Sequence, residues 1–317
     1  MHLTLDTGLT LPGEPPLTVA ASLWWPRQPP TAVLVCLPGG NMNRRYYDLQ
    51  VAGAVPTFSF AEAMVAEGFL VAALDHLGVG DSSRPEDGWV LTPELLTAAN
   101  AAAVAALLTG LRSGTLVRDR PSLPALRALG VGHSMGAMMT LLLQAASAPF
   151  AGLALLGFAT RGLPQFAPPP LRDTTDPDVL RPQLTAIAKS MFGTAYPRLG
   201  GGGGGGNRAE LYGSAQADPR GVAALKAATD NLLPVPATLS MAPGNVATEA
   251  RAVDVPVFIG VGERDMTGPP EAIPASFPAS PAVTLEVLPD TGHSHFLFPS
   301  RSRLFARLGA WARDLMH

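Results

Sequence analysis

The sequence predicts an α/β protein with a mostly parallel central sheet and helices on both faces of that sheet. Three observations support this prediction. Short apolar runs alternate with longer helix-like segments, Gly and Pro bound many of the runs, and the pattern is interrupted once, by residues 161–251. A chain of 317 residues with 47% apolar content is long enough for one such domain with an inserted subdomain.

The first half of the chain supplies most of the predicted sheet. The strands expected there cover residues 2–6, 17–25, 32–37, 69–74, 124–132 and 151–158. The first two form a hairpin because a turn-rich segment separates them. The runs at 32–37 and 69–74 are continuously apolar, which is typical of strands buried on both faces. Helices are predicted at 58–67 and 94–111, between successive strands.

Residues 161–251 contain no strong strand signal and are predicted to form a mostly helical cap. Helix starts are indicated by Asp176-Pro177 and Asp218-Pro219, because Asp caps a helix and Pro fits its first position. Strands at 255–261 and 282–288 and a helix at 301–316 follow. The expected core therefore comprises 1–160 and 252–317, and the glycine run 200–206 is expected to be a flexible linker in the cap.

Charge and composition limit the partners. The formal charge is −3 and basic clusters are absent, so a nucleic-acid partner is not expected. One cysteine cannot form an internal disulfide, and residues 1–25 lack the pattern of a signal peptide, so a cytoplasmic location is expected. The longest Ala/Leu-rich stretch, 98–108, is too short to span a bilayer, and no membrane span is expected. The sequence leaves open whether the chain is a monomer or a homo-oligomer.

Residues 132–136, Gly-His-Ser-Met-Gly, fit the pattern Gly-x-Ser-x-Gly. An apolar run precedes them and a helix-favouring segment follows. Because glycine allows a tight strand-to-helix turn, Ser134 is predicted to be an exposed nucleophile. His133 is adjacent to it, and neighbours on a tight turn point apart, so His133 is expected to be a packing residue.

These features resemble the α/β-hydrolase-fold serine hydrolases of the esterase and lactonase type, with a helical cap. The resemblance implies an oxyanion hole made by the N–H groups of Met135 and Gly40, with Asn41 as the nearest rival. The segment 38–41, Pro-Gly-Gly-Asn, stands where many members have His-Gly. The segment 75–82 resembles another turn of the family, and a structural role is favoured for it.

The resemblance also implies the order nucleophile, acid, histidine along the chain. His293 lies in the loop after the last predicted strand and is the expected base, whereas His295 is the alternative and His317 is the terminal residue. Asp265 follows the strand at 255–261 and is the expected acid. Glu263 and Asp254 are weaker candidates.

The expected reaction is hydrolysis of a carboxylic ester or lactone through an acyl-enzyme. An acyltransferase or thioesterase with the same triad is the alternative. No metal or cofactor is expected, because metal-binding spacings and phosphate-binding loops are absent. The substrate is expected to be a small apolar molecule, and Arg44 and Arg161 are the cations best placed to contradict this. The candidate pocket residues are Met42, Met138, Phe158, Met191, Phe192, Tyr196, Leu232, Met241 and Phe296.

Overall fold

The computed structural model of the protein describes residues 1–174, 176–198 and 217–316. The glycine run 200–206 and His317 lie outside the described residues. The strands are β1 His2–Asp6, β2 Thr18–Trp24, β3 Ala32–Leu37, β4 Leu70–Leu74, β5 Arg127–His133, β6 Leu153–Leu156, β7 Val257–Gly262 and β8 Val283–Leu288.

These strands form one sheet in the order β1-β2-β4-β3-β5-β6-β7-β8. The two pairings made by β2, with β1 and with β4, are antiparallel, and the remaining neighbours are parallel. The predicted mostly parallel α/β sheet is confirmed. Strand β6 is shorter than the predicted 151–158, because the backbone at Gly157 turns to a φ of 61° and leaves the extended region.

Alternation along each central strand divides the core into two layers. In β3, Val33 and Val35 face one layer, and Leu34 and Cys36 face the other. The helices α1 Phe60–Ala66, α2 Pro93–Ser113 and α3 Met135–Ser147 and the C-terminal helix Arg301–Asp314 cover the sheet. Residues of α2 and α3 belong to the first layer, whereas α1 and the C-terminal helix belong to the second. Because both faces are covered, these strands can be apolar throughout.

Helix α2 has 21 residues, close to the predicted helix at 94–111 and longer than the Ala/Leu-rich stretch 98–108 within it. Thr92 caps its start through the N–H of Leu95, and Gly114 ends it in the left-handed conformation. An 18-residue window of this helix has a mean hydropathy of 1.5, so the helix is long and apolar enough to cross a membrane. Buried core helices of globular proteins often have the same length and composition. In the fold its apolar side packs against the sheet, in the first core layer.

Helices also fill the chain between β6 and β7, where the cap is expected. The described ones are Pro169–Arg172, Pro177–Leu180, Leu184–Phe192, Pro219–Ala227, Pro234–Met241 and Ala247–Arg251. Asp218 caps its helix through the N–H of Arg220, as the Asp-Pro pair indicated. Leu184, Leu233 and Val246 join the same apolar layer as α2 and α3. The described cap helices therefore share the core of the sheet.

Candidate active site

Ser134 lies on a tight turn that requires glycine at positions 132 and 136. A Cβ at Gly132 would be 2.4 Å from the Cα of Ala137, and one at Gly136 would be 2.1 Å from the carbonyl oxygen of Leu37. The strand, the helix and the end of β3 can thus approach closely. Ser134 itself has φ 56° and ψ −123°, an unfavourable conformation for a residue with a side chain. The turn holds its hydroxyl at the carboxyl edge of the sheet.

The predicted acid and base meet Ser134 at this edge, because the loops after β7 and β8 converge there. The Oγ of Ser134 is 2.8 Å from Nε2 of His293, and Nδ1 of His293 is 2.8 Å from Oδ1 of Asp265. The Asp265 carboxylate accepts a hydrogen bond from Nδ1–H of His293, which leaves Nε2 free to accept a hydrogen bond from the serine hydroxyl. The three side chains form one continuous hydrogen-bonded chain.

The side chain of Asp265 is fully buried. Burial raises its pKa, but the charge and hydrogen bonds of His293 and His295 outweigh burial and hold the pKa below its usual value. The backbone N–H of Met266 also donates to Oδ1, at 2.7 Å. Asp265 is therefore an ionised carboxylate with several donors around it.

His295, the alternative base, contacts the other oxygen of the same carboxylate. Its Nε2 is 2.8 Å from Oδ2 of Asp265, and its side chain is fully buried. Its Nδ1 has no hydrogen-bond partner among the described residues. The structure thus places His293, and not His295, against Ser134. Neither sequence spacing nor the motif indicated that the two histidines share one carboxylate.

His133 packs beneath this group. Its Nε2 donates to the carbonyl oxygen of His293 at 2.9 Å, and its ring lies between Tyr46 and His293, with ring centroids 4.6 Å and 4.8 Å away. Burial, together with the nearby His293 and His295, lowers the pKa of His133 well below its ordinary value, so the ring is neutral. The packing role expected for His133 agrees with these contacts.

The other acid candidates lie elsewhere. Glu263 is exposed and accepts a hydrogen bond from the N–H of Asp290, at 3.0 Å. Asp254 is exposed ahead of β7. Neither contacts a histidine among the described residues.

Gly40 and Met135, the residues that carry the predicted oxyanion donors, lie beside each other. Met135 is the first residue of α3, so its N–H has no acceptor within the helix. A Cβ at Gly40 would be 3.9 Å from Sδ of Met135, which places Gly40 beside it, and 2.9 Å from Cδ1 of Leu232. The next residue, Asn41, has φ 55°. The loop after β3 thus approaches the start of α3 at the position of Ser134.

A small cavity that is open to solvent lies beside Ser134 and His293. Among the described residues that line it, His293 is the one titratable side chain, and most of the others are small or apolar. The lining residues are Ser134, Met135, Gly157, Phe158, Ala159, Gly162, Leu163, Ser240, Thr267 and His293. Gly157 and Phe158 follow β6, and Thr267 lies in the loop after β7. Their position after the carboxyl ends of strands is the feature of the sequence from which a place in the cavity could have been predicted.

Of the predicted pocket residues, Phe158 lines this cavity. Phe296 and Met138 do not, because both are fully buried in the core, where the ring of Phe296 stacks 4.7 Å from that of Tyr46. Tyr196 does not either, because its hydroxyl donates to the carbonyl oxygen of Pro85 at 2.7 Å. Leu232 covers Gly40 instead.

The four remaining pocket candidates are also absent from the described lining. Met42 is buried and forms an isolated bridge with Thr229. The other three candidates are partly buried and pack against the first core layer: Met191, Phe192 and Met241.

Arg44 is committed to an ion-pair network. It is buried, and its guanidinium pairs with Asp75 and with Asp81, the latter at 2.6 Å. A Cβ at Gly80 would overlap Asp75, so the glycine and the carboxylate shape this loop as a structural element. Arg161 is exposed and packs on Gly268, next to the cavity residue Thr267. No group of acidic, His or Cys side chains among the described residues is arranged to hold a metal ion.

Comparison with known proteins agrees with this architecture. An esterase from Thermogutta terrifontis has TM-score 0.60 and 18% identity, covering 100% of both chains. The enol-lactonase from Burkholderia xenovorans LB400 has TM-score 0.56 and 17% identity, covering 95% of this chain and 96% of its own. A bromoperoxidase from Bacillus anthracis has TM-score 0.60 and 15% identity, covering 99% and 100%. At these identities the likeness shows the fold alone.

At the sequence level, no curated protein matches the chain. The sequence profile of the alpha/beta hydrolase family matches residues 34–308, a range that includes Ser134, Asp265 and His293. The chain therefore belongs to the alpha/beta hydrolase family.

Proposed function

We propose that the protein is a serine hydrolase that cleaves a small, uncharged carboxylic ester or lactone through an acyl-enzyme. The observation that carries this proposal is the unbroken chain of 2.8 Å contacts from Ser134 through His293 to Asp265, at the edge of a cavity. A hydroxyl, a base and a buried carboxylate in this order are the parts needed to activate a serine.

The first half of the reaction uses the triad in sequence. Nε2 of His293 takes the proton from Ser134 as Oγ bonds to the carbonyl carbon, and the carbonyl π pair moves to the oxygen. The N–H groups of Met135 and Gly40 stabilise this oxyanion. Asp265 stabilises the imidazolium, which then gives its proton to the leaving alcohol as the tetrahedral intermediate collapses. With a lactone, that alcohol stays attached to the acyl group.

Water completes the cycle. His293 takes a proton from water as the water oxygen attacks the acyl carbon, and Oγ of Ser134 leaves and recovers the proton. The product is a carboxylic acid. A thiol or an alcohol in place of water would make the same site an acyltransferase, so the acceptor distinguishes the two activities.

The lining of the cavity supports an uncharged acyl group. Most of the residues that line the cavity are small or apolar, and among the described residues His293 is its one titratable side chain. A carboxylate in this cavity would lose its hydration, and no Arg or Lys is among the described residues that line it. Arg44 is already paired, whereas Arg161 is exposed and packs on Gly268 beside the cavity. The structural likeness to an esterase and an enol-lactonase is compatible with the proposal but does not select between esters and lactones.

The test is a panel of p-nitrophenyl acetate, butyrate and octanoate, a γ-lactone and a butyryl thioester, with an added alcohol in a second series. Ser134→Ala, His293→Ala and Asp265→Asn should each lower kcat by roughly 10⁴-fold or more, and the triple variant should lose little more. Ser147→Ala, an exposed serine later in the same helix, is the matched control. Wild-type turnover by Ser134→Ala would refute the proposed mechanism.

A further inference from the structure

The loop that carries Gly40 is paired to the cap. We call residues 39–43 the oxyanion loop and residues 228–232 the cap segment. The N–H of Asn43 donates to the carbonyl oxygen of Ala228 at 2.9 Å, and the N–H of Asp230 donates to that of Asn41 at 2.7 Å. Between these bonds, Met42 and Thr229 form an antiparallel bridge. The cap segment therefore lies against the oxyanion loop as a short strand would.

The carboxylate of Asp230 strengthens this pairing. Its Oδ2 accepts hydrogen bonds from Nδ2 of Asn43 and from the backbone N–H of Gly80, both at 3.1 Å. Its Oδ1 accepts from the N–H and the side-chain amide of Asn231, at 2.8 Å and 3.2 Å. One half-buried carboxylate thus joins the oxyanion loop, the loop after β4 and the cap. Such charge-assisted bonds are stronger than neutral ones.

The pairing with the cap segment also holds a left-handed turn in the oxyanion loop. Asn41, directly after Gly40, has φ 55°, in the left-handed region, which Asn enters more readily than other residues with a side chain, so the contacts of the cap segment select it over extended backbone. The carbonyl oxygen of Asn41 accepts the bond from Asp230, and Leu232 of the cap segment contacts the Gly40 position. If the support were lost, Asn41 could relax and carry the Gly40 N–H away from Met135.

We propose that Asp230 is a positioning residue for the oxyanion hole, so that the cap is part of the catalytic machinery as well as a cover for the cavity. The inference depends on the proposed acyl-transfer function. Asp230 is not among the described residues that line the cavity beside Ser134. It acts through Asn41 and Asn43 on the N–H of Gly40, and its removal should weaken stabilisation of the tetrahedral species more than binding of the substrate.

Two variants test the contact. Asp230→Ala removes all four accepted bonds. Asn43→Asp keeps the oxygen that accepts from the N–H of Arg45, at 3.1 Å, but replaces the donor facing Asp230 with a second carboxylate oxygen. The exposed Asp254→Ala is the matched control. Each variant is assayed for kcat and KM with the best ester of the panel, and for thermal unfolding.

The decisive probe is a trifluoromethyl ketone whose chain matches the acyl group of that ester. Oγ of Ser134 adds to its carbonyl carbon, the π pair moves to the oxygen, and His293 holds the proton, so its affinity reports the oxyanion hole. We expect Asp230→Ala and Asn43→Asp to lower kcat and ketone affinity together, by about 10- to 100-fold, because losing a whole oxyanion donor costs about 10²- to 10³-fold. KM should stay within about twofold.

The exchanged pair, Asn43→Asp with Asp230→Asn, restores one donor and one acceptor across the contact and should recover part of the loss. Wild-type kcat and ketone affinity in Asn43→Asp would overturn the inference, as would a fall in kcat with unchanged ketone affinity. If Asp230→Ala does not fold, Asn43→Asp alone decides. Failure of the proposed function is distinguished by Ser134→Ala, which would then retain turnover whatever happens at Asp230.

Discussion

Replacing His295 tests whether the second imidazole on Asp265 contributes to the reaction. The ring donates from Nε2 to Oδ2 of Asp265 at 2.8 Å, and both side chains are fully buried. His295→Leu removes this donor, so Oδ2 of Asp265 loses the hydrogen bond from the imidazole. His295→Gln keeps it, because the amide nitrogen of Gln can occupy the place of Nε2.

The magnitude follows from the burial of the pair. A hydrogen bond to a charged group contributes about 1.5–3 kcal/mol, so His295→Leu should lower the free energy of unfolding by about 2–3 kcal/mol. Part of that loss should also appear in the transition state, because Asp265 must orient His293 and stabilise its cation. We expect kcat to fall about tenfold, which is about 1.4 kcal/mol, with KM nearly unchanged.

The assays are urea unfolding and pre-steady-state release of p-nitrophenol, with the exposed His2→Leu as control. His295→Gln should recover most of both losses. Equal impairment of the Leu and Gln variants, or a normal kcat in His295→Leu, would refute the role of this hydrogen bond. A larger loss in His295→Ala than in His293→Ala would show that His295 is the base.

Three further predictions concern strain, protonation and charge. In thermal unfolding, Ser134→Gly should have a free energy of unfolding about 1–2 kcal/mol higher than Ser134→Ala, since Gly accepts the positive φ without strain. Equal unfolding temperatures of the two variants would show that the turn is not strained. Burial lowers the pKa of His76 to about 4, so as the pH falls the unfolded chain protonates its imidazole before the folded protein does. The free energy of unfolding should therefore fall between pH 6.5 and pH 4, by up to about 3 kcal/mol. Urea unfolding at both pH values should show a smaller difference for His76→Gln, and an equal difference would contradict this. A neutral butyrate ester should be cleaved at least about tenfold faster than the matched succinate monoester. A reversed preference that disappears in Arg161→Ala would show an anion site beside Gly268.

The sequence by itself determined the sheet and the turn that carries the nucleophile. Strands β3 and β4 were predicted because continuous apolar runs have few alternatives to a doubly covered strand. The glycines at 132 and 136 were informative because the clashes that exclude a Cβ there are local to the turn. Asp265 was singled out because it follows the predicted strand at 255–261, which is where the family that the chain resembles carries its acid.

Tertiary structure decided what sequence spacing could not. His293 and His295 are two residues apart, and which ring meets Ser134 depends on the path of the loop, which sets the direction of each side chain. The pocket residues were hard to predict for the same reason: Phe296 is aromatic and close in sequence to His293, yet it points into the core. The contact between Asp230 and Asn43 joins residues 187 positions apart. Only packing of the cap against the oxyanion loop brings them together, because no local periodicity links two loops of different parts of the chain.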